Sequence, residues 1–517
     1  MAKIHKFISV SFLTLLFVCA VCNAKIIIHV IDKNEKEKGT ITEIISEIQN
    51  GYISEVSGKN FFVDLNGAYS RLIGKRVCNE VVRLNNGMLT QEVTSRENTK
   101  ENAYELKRLS EYLNDRSIPF FFVQAPDKMD NAKALLPTGL EYYADENVNE
   151  FLTELDKYCV NYIDLRKEIC KDNNSIEKYY YKTDHHWNPQ GAFLAFTRIV
   201  NYIHEIYPNE NIDESILDIN NWEIHTVEHG FLGSRGTRTG KFFGGIDDLM
   251  WIVPGFSTEI SCSMPYQEKF YKGSFENANI REIYIDECRE LGQDAYYLYV
   301  GGNYELVQHR NASASSGLKV LLVKDSYAIP TQTFLSTVFK EVDVIDLRHY
   351  DISGLAEYIK ESKPQIVVMM YYTQYITDPE MFQFGLDKTD YIQAEQTVVT
   401  AEEQIKIEGS ESKYRNYVIE DNLDLSTRYI LTFDSAHYSD NNEEALTLAL
   451  FDRGNNKILQ TQILDVAYCN QEGFYWEFLT PDISDGNIDL LLYTGIRGKT
   501  ENKTLKIHNM CLIKTTE

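Results

Sequence analysis

The tightest constraint on the fold lies between residues 319 and 370. Val320-Leu321-Leu322-Val323, Val342-Asp343-Val344-Ile345-Asp346 and Gln365-Ile366-Val367-Val368-Met369-Met370 are short apolar runs. Helical stretches ending near Phe339 and covering 353–362 separate them. Runs without polar alternation suit strands covered on both faces. Strand and helix in this rhythm predict a parallel, doubly wound sheet with right-handed crossovers. A helix over 101–116 and a continuous apolar strand over 118–124 extend the pattern upstream, as do a helix near 147–159 and a strand over 161–165. The fold class expected is therefore α/β, a three-layer α/β/α sheet domain.

The rhythm breaks at both ends. Phe61-Phe62-Val63-Asp64-Leu65-Asn66-Gly67 reads as a strand and turn, and 81–87 repeats that form. Residues 208–300 are less regular. After about residue 390 short strands follow one another without helices, at 428–433, 445–451, 474–478, 488–493 and 505–508. Gly- and Asn-rich turns separate them, which predicts a β-sandwich. In Phe474-Tyr475-Trp476-Glu477-Phe478, alternation puts Phe474, Trp476 and Phe478 on the core face. The expected division is a leader at 1–24, an α/β domain at 25–390, a Gln/Glu-rich linker at 391–415 and a sandwich at 416–517.

The leader has Lys3 and Lys6 before an apolar run from Phe7 to Val21, then Cys22-Asn23-Ala24. That is the form of an export signal, cleaved or kept as an anchor, and the bulk of the chain is expected outside the cytoplasm. The formal charge of −26 argues against a nucleic-acid partner. The cysteines past the leader form no CxxC pair, which argues against a zinc ribbon. Cys159 and Cys170 are spaced for pairing, but buried free thiols are the expected state.

The chemistry centres on Thr183-Asp184-His185-His186-Trp187-Asn188-Pro189. Asn188 suits a helix N-cap and Pro189 the first helical position, with Phe193, Phe196, Ile199, Val200 and Ile203 as the apolar face behind. Asp184, His185 and His186 thus sit in a loop held by a rigid helix. Far downstream, Ser326 stands where a parallel strand passes into a helix, the end at which such sheets present their sites. A serine hydroxyl needs a base, and the base an orienting partner. His186 and Asp184 supply both. The backbone N–H after Ser326, with Gly302 and Asn303 upstream, is expected to serve an oxyanion. Gly233-Ser234-Arg235-Gly236-Thr237-Arg238-Thr239-Gly240-Lys241 reads as a loop that is either solvated or approaches a polar substrate.

Together with Val323-Lys324-Asp325-Ser326-Tyr327 and Asp346-Leu347-Arg348, the Asp-His-His-Trp stretch resembles the DHHW family of SGNH-hydrolase-like proteins, related to the alginate and exopolysaccharide O-acetyltransferases. The resemblance spans roughly residues 60 to 385. It implies a flavodoxin-like fold with a permuted triad: Ser326 as nucleophile, His186 as base, Asp184 as its orienter. His185 is left with no triad role. Gly302 and Asn303 are carried to the oxyanion hole, and Arg348, Lys128 and Arg235 to the substrate rim. It implies no cofactor and no metal, a polysaccharide acceptor, a membrane-bound O-acyltransferase as acetyl donor and a carbohydrate-binding sandwich. The acidic surface does not suit alginate, a polyanion, so another glycan is expected. Acetyl transfer and hydrolysis share one acyl-enzyme, and the sequence leaves that choice open. Two other readings remain: a non-catalytic glycan-binding scaffold, and a metal-dependent phosphoesterase built on Asp-His-His.

Overall fold

The structure is a computed structural model. It describes residue 14 and residues 59–130, 133–169, 175–289, 294–350, 354–386, 396–407, 415–433, 435–438, 446–464, 474–482, 487–494 and 503–514. The leader at 1–24, apart from residue 14, and Cys170 lie outside the described residues. Two units divide at Gly385 and Leu386.

The first unit opens with helix α1 (Lys59–Leu72), followed by a small antiparallel sheet within residues 77–91. The layered part contains α2 (Lys100–Asn114), β1 (Phe120–Ala125), α3 (Ala144–Lys157), β2 (Tyr162–Asp164) and α4 (Pro189–Ile206). A two-stranded pair (Trp222–Phe231 with Asp247–Pro254) encloses the short helix α5 (Ser234–Thr239). Then come β3 (Ile260–Met264), β4 (Lys269–Gly273), β5 (Leu306–Asn311), β6 (Ser316–Lys324), α6 (Ile329–Val338), β7 (Phe339–Ile345), α7 (Leu355–Ser362) and β8 (Ile366–Tyr372).

The sheet runs β2-β1-β8-β6-β7-β5-β3-β4. Its first five strands are parallel. β5, β3 and β4 add antiparallel at the far edge. β3 and β4 fall in the region that reads as irregular, where short antiparallel strands and the short helices Phe275–Asn279 and Ile283–Arg289 replace the strand and long-helix rhythm.

Alternate side chains of β1 face opposite layers, as strand geometry requires. Phe121 meets Tyr202 of α4 with ring centroids 4.6 Å apart, and Phe122 meets Phe151 of α3 at 5.3 Å. Both faces are therefore covered, which explains why β1, β6 and β8 lack polar alternation. α6 is buried along its whole length, and its Phe334 packs among Phe193, Phe196 and Trp222. Among the described residues, no helix is long and apolar enough to cross a membrane.

Two expectations are corrected. The strand and turn read at 61–67 is instead part of α1. Phe-Phe-Val favours a strand locally, but tertiary fit overrides such propensity. Gly67 lies under the carbonyl of Thr239 with no room for a Cβ, and Asp64 Oδ1 accepts the Lys241 N–H at 2.8 Å. The second concerns the linker at 391–415. It contains a twelve-residue strand, β9 (Gln396–Ile407), on an edge of a sandwich sheet. An edge strand pairs through its backbone on one side only, so a polar sequence is no bar to it.

In the second unit, β9 is followed by β10 (Arg415–Leu423), β11 (Arg428–Phe433), β12 (Ser435–Tyr438), β13 (Leu446–Asp452), β14 (Lys457–Leu464), β15 (Phe474–Leu479), β16 (Ile488–Thr494) and β17 (Lys503–Lys514). One sheet has the order β9-β17-β11-β15 with β12 also on β17, and the other β10-β16-β13-β14. Leu431, Trp476, Phe478 and Leu512 from the first share a core with Leu448, Leu450, Leu490 and Leu492 from the second. The aromatic stripe of β15 is thus core, as its alternation predicts.

Cys78, Cys262 and Cys288 are free and buried, but Cys159 is free and exposed. Its φ of 56° places it in the left-handed turn after α3, where the chain runs at the surface.

Candidate active site

The carboxyl ends of β1, β6, β7 and β8 converge on one place. Ser326 lies two residues past Lys324, the end of β6. Asp325 caps the turn after it: its Oδ1 accepts the Tyr327 N–H at 2.7 Å, and its Oδ2 accepts the Tyr372 N–H of β8 at 2.5 Å. This fastens the serine turn to the neighbouring strand. It also corrects one expectation, because the N–H after Ser326 is spent on Asp325 and is not free for an oxyanion.

The Asp184 loop reaches the serine from the start of α4. Asn188 is the N-cap, its Oδ1 accepting from the N–H groups of Gln190 at 2.9 Å and Gly191 at 3.3 Å. Trp187 Nε1 donates to the Tyr327 carbonyl at 3.0 Å, and the Tyr327 hydroxyl donates to the His185 carbonyl. Loop and serine turn are therefore cross-tied in both directions.

Within this frame three side chains form a row. His186 Nδ1 lies 2.7 Å from Asp184 Oδ1, and His186 Nε2 lies 2.9 Å from Ser326 Oγ. With Nδ1 donating to the carboxylate, Nε2 is left to accept the serine proton. Asp184 Oδ1 also accepts the His186 N–H at 2.9 Å, and Oδ2 accepts the Ser234 N–H at 2.6 Å. Burial alone would raise the Asp184 carboxyl; His185 and the bonds from His186 hold it well below the usual range. It is an anion at neutral pH. Tyr296 stacks on the His186 ring at 4.1 Å, and its hydroxyl donates to the Trp187 carbonyl at 2.6 Å. Asp184 and His186 are buried, and Ser326 is 8% exposed.

His185 takes no place in the row. Its Nδ1 lies 2.9 Å from Ser234 Oγ, and its ring lies against His186 at 3.7 Å. Burial and the neighbouring His186 push its pKa down to about 3, so the ring is neutral. It lines a cleft of about 410 Å³ together with Arg235, Arg238, Tyr372, Gln374 and Tyr375.

Several expected roles change. Lys128 is not a rim residue. It is 1% exposed, and its Nζ donates to the carbonyls of Tyr181 at 2.6 Å and Asp184 at 2.5 Å. The residue lies three positions past the end of β1, and its stem is packed beneath the loop instead of lying at the surface. Arg235 is also buried, where it donates to the Leu89 carbonyl at 3.2 Å and lies 3.8 Å from Asp127, yet it does line the cleft. Arg348 is bound by Asp346 and by the Tyr375 hydroxyl, at 2.6 and 2.8 Å. Asn303 Oδ1 accepts from Lys324 Nζ at 2.8 Å and Arg348 Nη2 at 3.2 Å, which leaves its amide N–H groups for donation. Gly302 adopts a φ of 118°, a conformation that favours glycine.

The Gly- and Arg-rich stretch is not a solvated loop. It is α5 and its flanks, and Gly233 packs so closely that a Cβ there would lie 2.4 Å from Asp184 Cβ. Sequence reasoning also missed Asp247, whose carboxylate accepts the N–H groups of Lys182 and Thr183, both at 2.7 Å. The glycine spacing was a signal for close approach. Nothing in the sequence marks Asp247.

Asp184, His185 and His186 are also the one group among the described residues with donor atoms near enough for a metal. The chemistry does not fit one. Both Asp184 oxygens are occupied by N–H donors, and the Lys128 ammonium sits directly beneath the loop. A divalent ion would have to displace those bonds beside a cation, so the phosphoesterase reading has no support in the geometry.

Residues 84–222 match the sequence profile of the SGNH hydrolase-like domain of acetyltransferase AlgX. This chain carries an SGNH hydrolase-like domain. The matched residues include Asp184 and His186 and end before Ser326. Among solved structures, Bacillus cereus PatB1 is 23% identical with a TM-score of 0.50, covering 59% of this chain and 99% of its own. A DHHW family protein from Eubacterium siraeum is 19% identical with a TM-score of 0.46, over 60% of this chain and 95% of its own. Pseudomonas aeruginosa AlgX is 13% identical with a TM-score of 0.36, over 87% and 99%. The PatB1 likeness is one of fold alone. No curated protein sequence matches the chain.

Proposed function

We propose that the chain is an exported O-acetyltransferase acting on a cell-envelope or secreted polysaccharide. The row Asp184–His186–Ser326 carries the reading, at the carboxyl end of the parallel sheet. Ser326 Oγ attacks the acetyl carbonyl while His186 Nε2 takes its proton. Asp184 holds Nδ1–H in place and stabilises the imidazolium that forms. The donor's leaving oxygen takes that proton, and the acetyl group remains on Ser326 as an ester. A sugar hydroxyl then enters through the cleft beside His185 and loses its proton to His186. Its oxygen forms the new ester as the bond to Ser326 breaks, and His186 returns the proton to Ser326 Oγ. Asn303, its amide oriented by Lys324 and Arg348, is the candidate oxyanion donor within this reading. The same steps with water in place of the sugar give an acetylesterase. A membrane-bound O-acyltransferase as acetyl donor and a sandwich that holds the polymer complete the proposal.

The test is acetyl release from p-nitrophenyl acetate, with intact-mass detection of an acetyl group on Ser326. Wild type should release acetate, and Ser326→Ala should lose a thousandfold or more in rate, on the order seen when a triad member is removed. Equal turnover by both proteins would sink the assignment.

A further inference from the structure

Helix α1 is seated the wrong way round for a domain helix. Phe61, Phe62, Leu65, Tyr69 and Leu72 fall within about 100° of arc at 3.6 residues per turn. That face points to solvent: Phe61 is 65% exposed, Tyr69 58% and Leu72 84%. The residues that face the domain are Gly67 and Ser70. Gly67 sits under Thr239, Asp64 takes the Lys241 N–H, and Arg71 Nη1 donates to the Phe242 carbonyl at 3.3 Å. Ile73, just past the end of the helix, is also exposed. An amphipathic helix ordinarily buries its apolar stripe. A contiguous patch of this kind marks an interaction surface.

The rim identifies the partner. Residues 59–76 hold Lys59, Arg71, Lys75 and Arg76 against the single acid Asp64, in a chain of net charge −26. Lys59, Arg71, Lys75 and Arg76 are all exposed, and Lys241 adds a cation beside Asp64. Aromatic and aliphatic side chains on one face with lysines and arginines at its border are the composition of a helix that lies in a lipid–water interface. Anionic headgroups would meet the cations, and the apolar arc would enter the acyl boundary.

We propose that the outward face of α1 docks flat on an anionic bilayer surface and holds the SGNH-like domain against it. Emission from Phe62→Trp, taken as the difference from the unchanged full-length chain, tests this. Vesicles of phosphatidylglycerol with dibrominated phosphatidylcholine should quench most of that difference emission and shift it to the blue. High salt should weaken the quenching. Leu65→Glu with Leu72→Glu in the same chain should abolish it without moving the melting temperature, since both side chains are exposed. Phe270→Trp, an exposed phenylalanine on β4, should stay unquenched. Absence of quenching at residue 62 would overturn the proposal. So would equal quenching at residue 270, which would mean adsorption without orientation. Blue-shifted emission before lipid is added, unaltered by vesicles, would show the face covered by protein and would overturn it too. None of these readouts depends on Ser326.

Discussion

Two histidines stand side by side, and only one touches both an acid and the serine. His186 spans Asp184 and Ser326, while His185 turns to Ser234 and the cleft. His186→Ala should therefore lose a thousandfold or more in p-nitrophenyl acetate turnover, with little change in melting temperature. His185→Ala should be much milder on this small substrate, and an equal loss would overturn the division of roles. Lys128 acts one layer deeper. Its ammonium joins two carbonyls of the loop, and burial, with Arg235 next in weight, lowers its pKa to about 7. The unfolded chain keeps that proton to an ordinary lysine value near 10.5. Between the two values the unfolded state binds more protons, so this group makes stability rise with pH. Its cost is fully present below pH 7 and is relieved as pH climbs towards 10.5. Lys128→Met cannot titrate. The melting temperature of wild type relative to Lys128→Met should therefore increase from pH 7 to pH 10, and a constant difference would contradict the assignment. The variant also leaves two buried carbonyls unpaired, at about 1–3 kcal/mol each.

At the scale of elements, the site depends on α5 as much as on the loop it touches. Gly233→Ala would bring a methyl group within 2.6 Å of the Asp184 backbone. The backbone dihedral there is ordinary, so the cost is steric: ~1–3 kcal/mol of overpacking, with displacement of the Asp184 loop. The expected result is a lower melting temperature and a fall in turnover well beyond what the stability loss explains, read from kcat at a temperature where the variant is fully folded. Unchanged kcat would show that α5 only packs. The parallel core strands and α4 were legible because each declares itself locally, by an unbroken apolar run, by Asn-Pro at a helix start or by a 3.6-residue stripe. The pairing of residues 186 and 326 was legible through motif chemistry. What stayed hidden is tertiary. α1 presents a strand-like Phe-Phe-Val and becomes a helix because Gly67 and Asp64 fit against residues 239–241. Lys128 looks like a surface cation until β1 is seen to end beneath the loop. The capping of Tyr327 N–H by Asp325 depends on side-chain direction, which no spacing reveals.

At the scale of the molecule, net charge and local charge pull in opposite directions. A formal −26 repels a polyanionic acceptor during approach, yet the cleft beside His185 is lined by Arg235 and Arg238. Arg238 is paired with Glu80 at 2.8 Å and Arg235 faces Asp127, so neither offers an uncompensated positive charge. The long-range term should then decide between acceptors. Exposed charges are screened over about 10 Å at 0.1 M salt, while contacts within the cleft are screened much less. Acetyl transfer to an uncharged oligosaccharide should thus be nearly independent of ionic strength. Transfer to a uronic-acid oligomer should be slow at low salt and should rise as salt is added, through kcat/KM and not through kcat. A polyanion that is the better acceptor at low salt, and loses rate as salt increases, would mean that the two arginines outweigh the surface. In that case the acceptor would be an acidic polymer after all, and Arg238→Gln should remove its advantage.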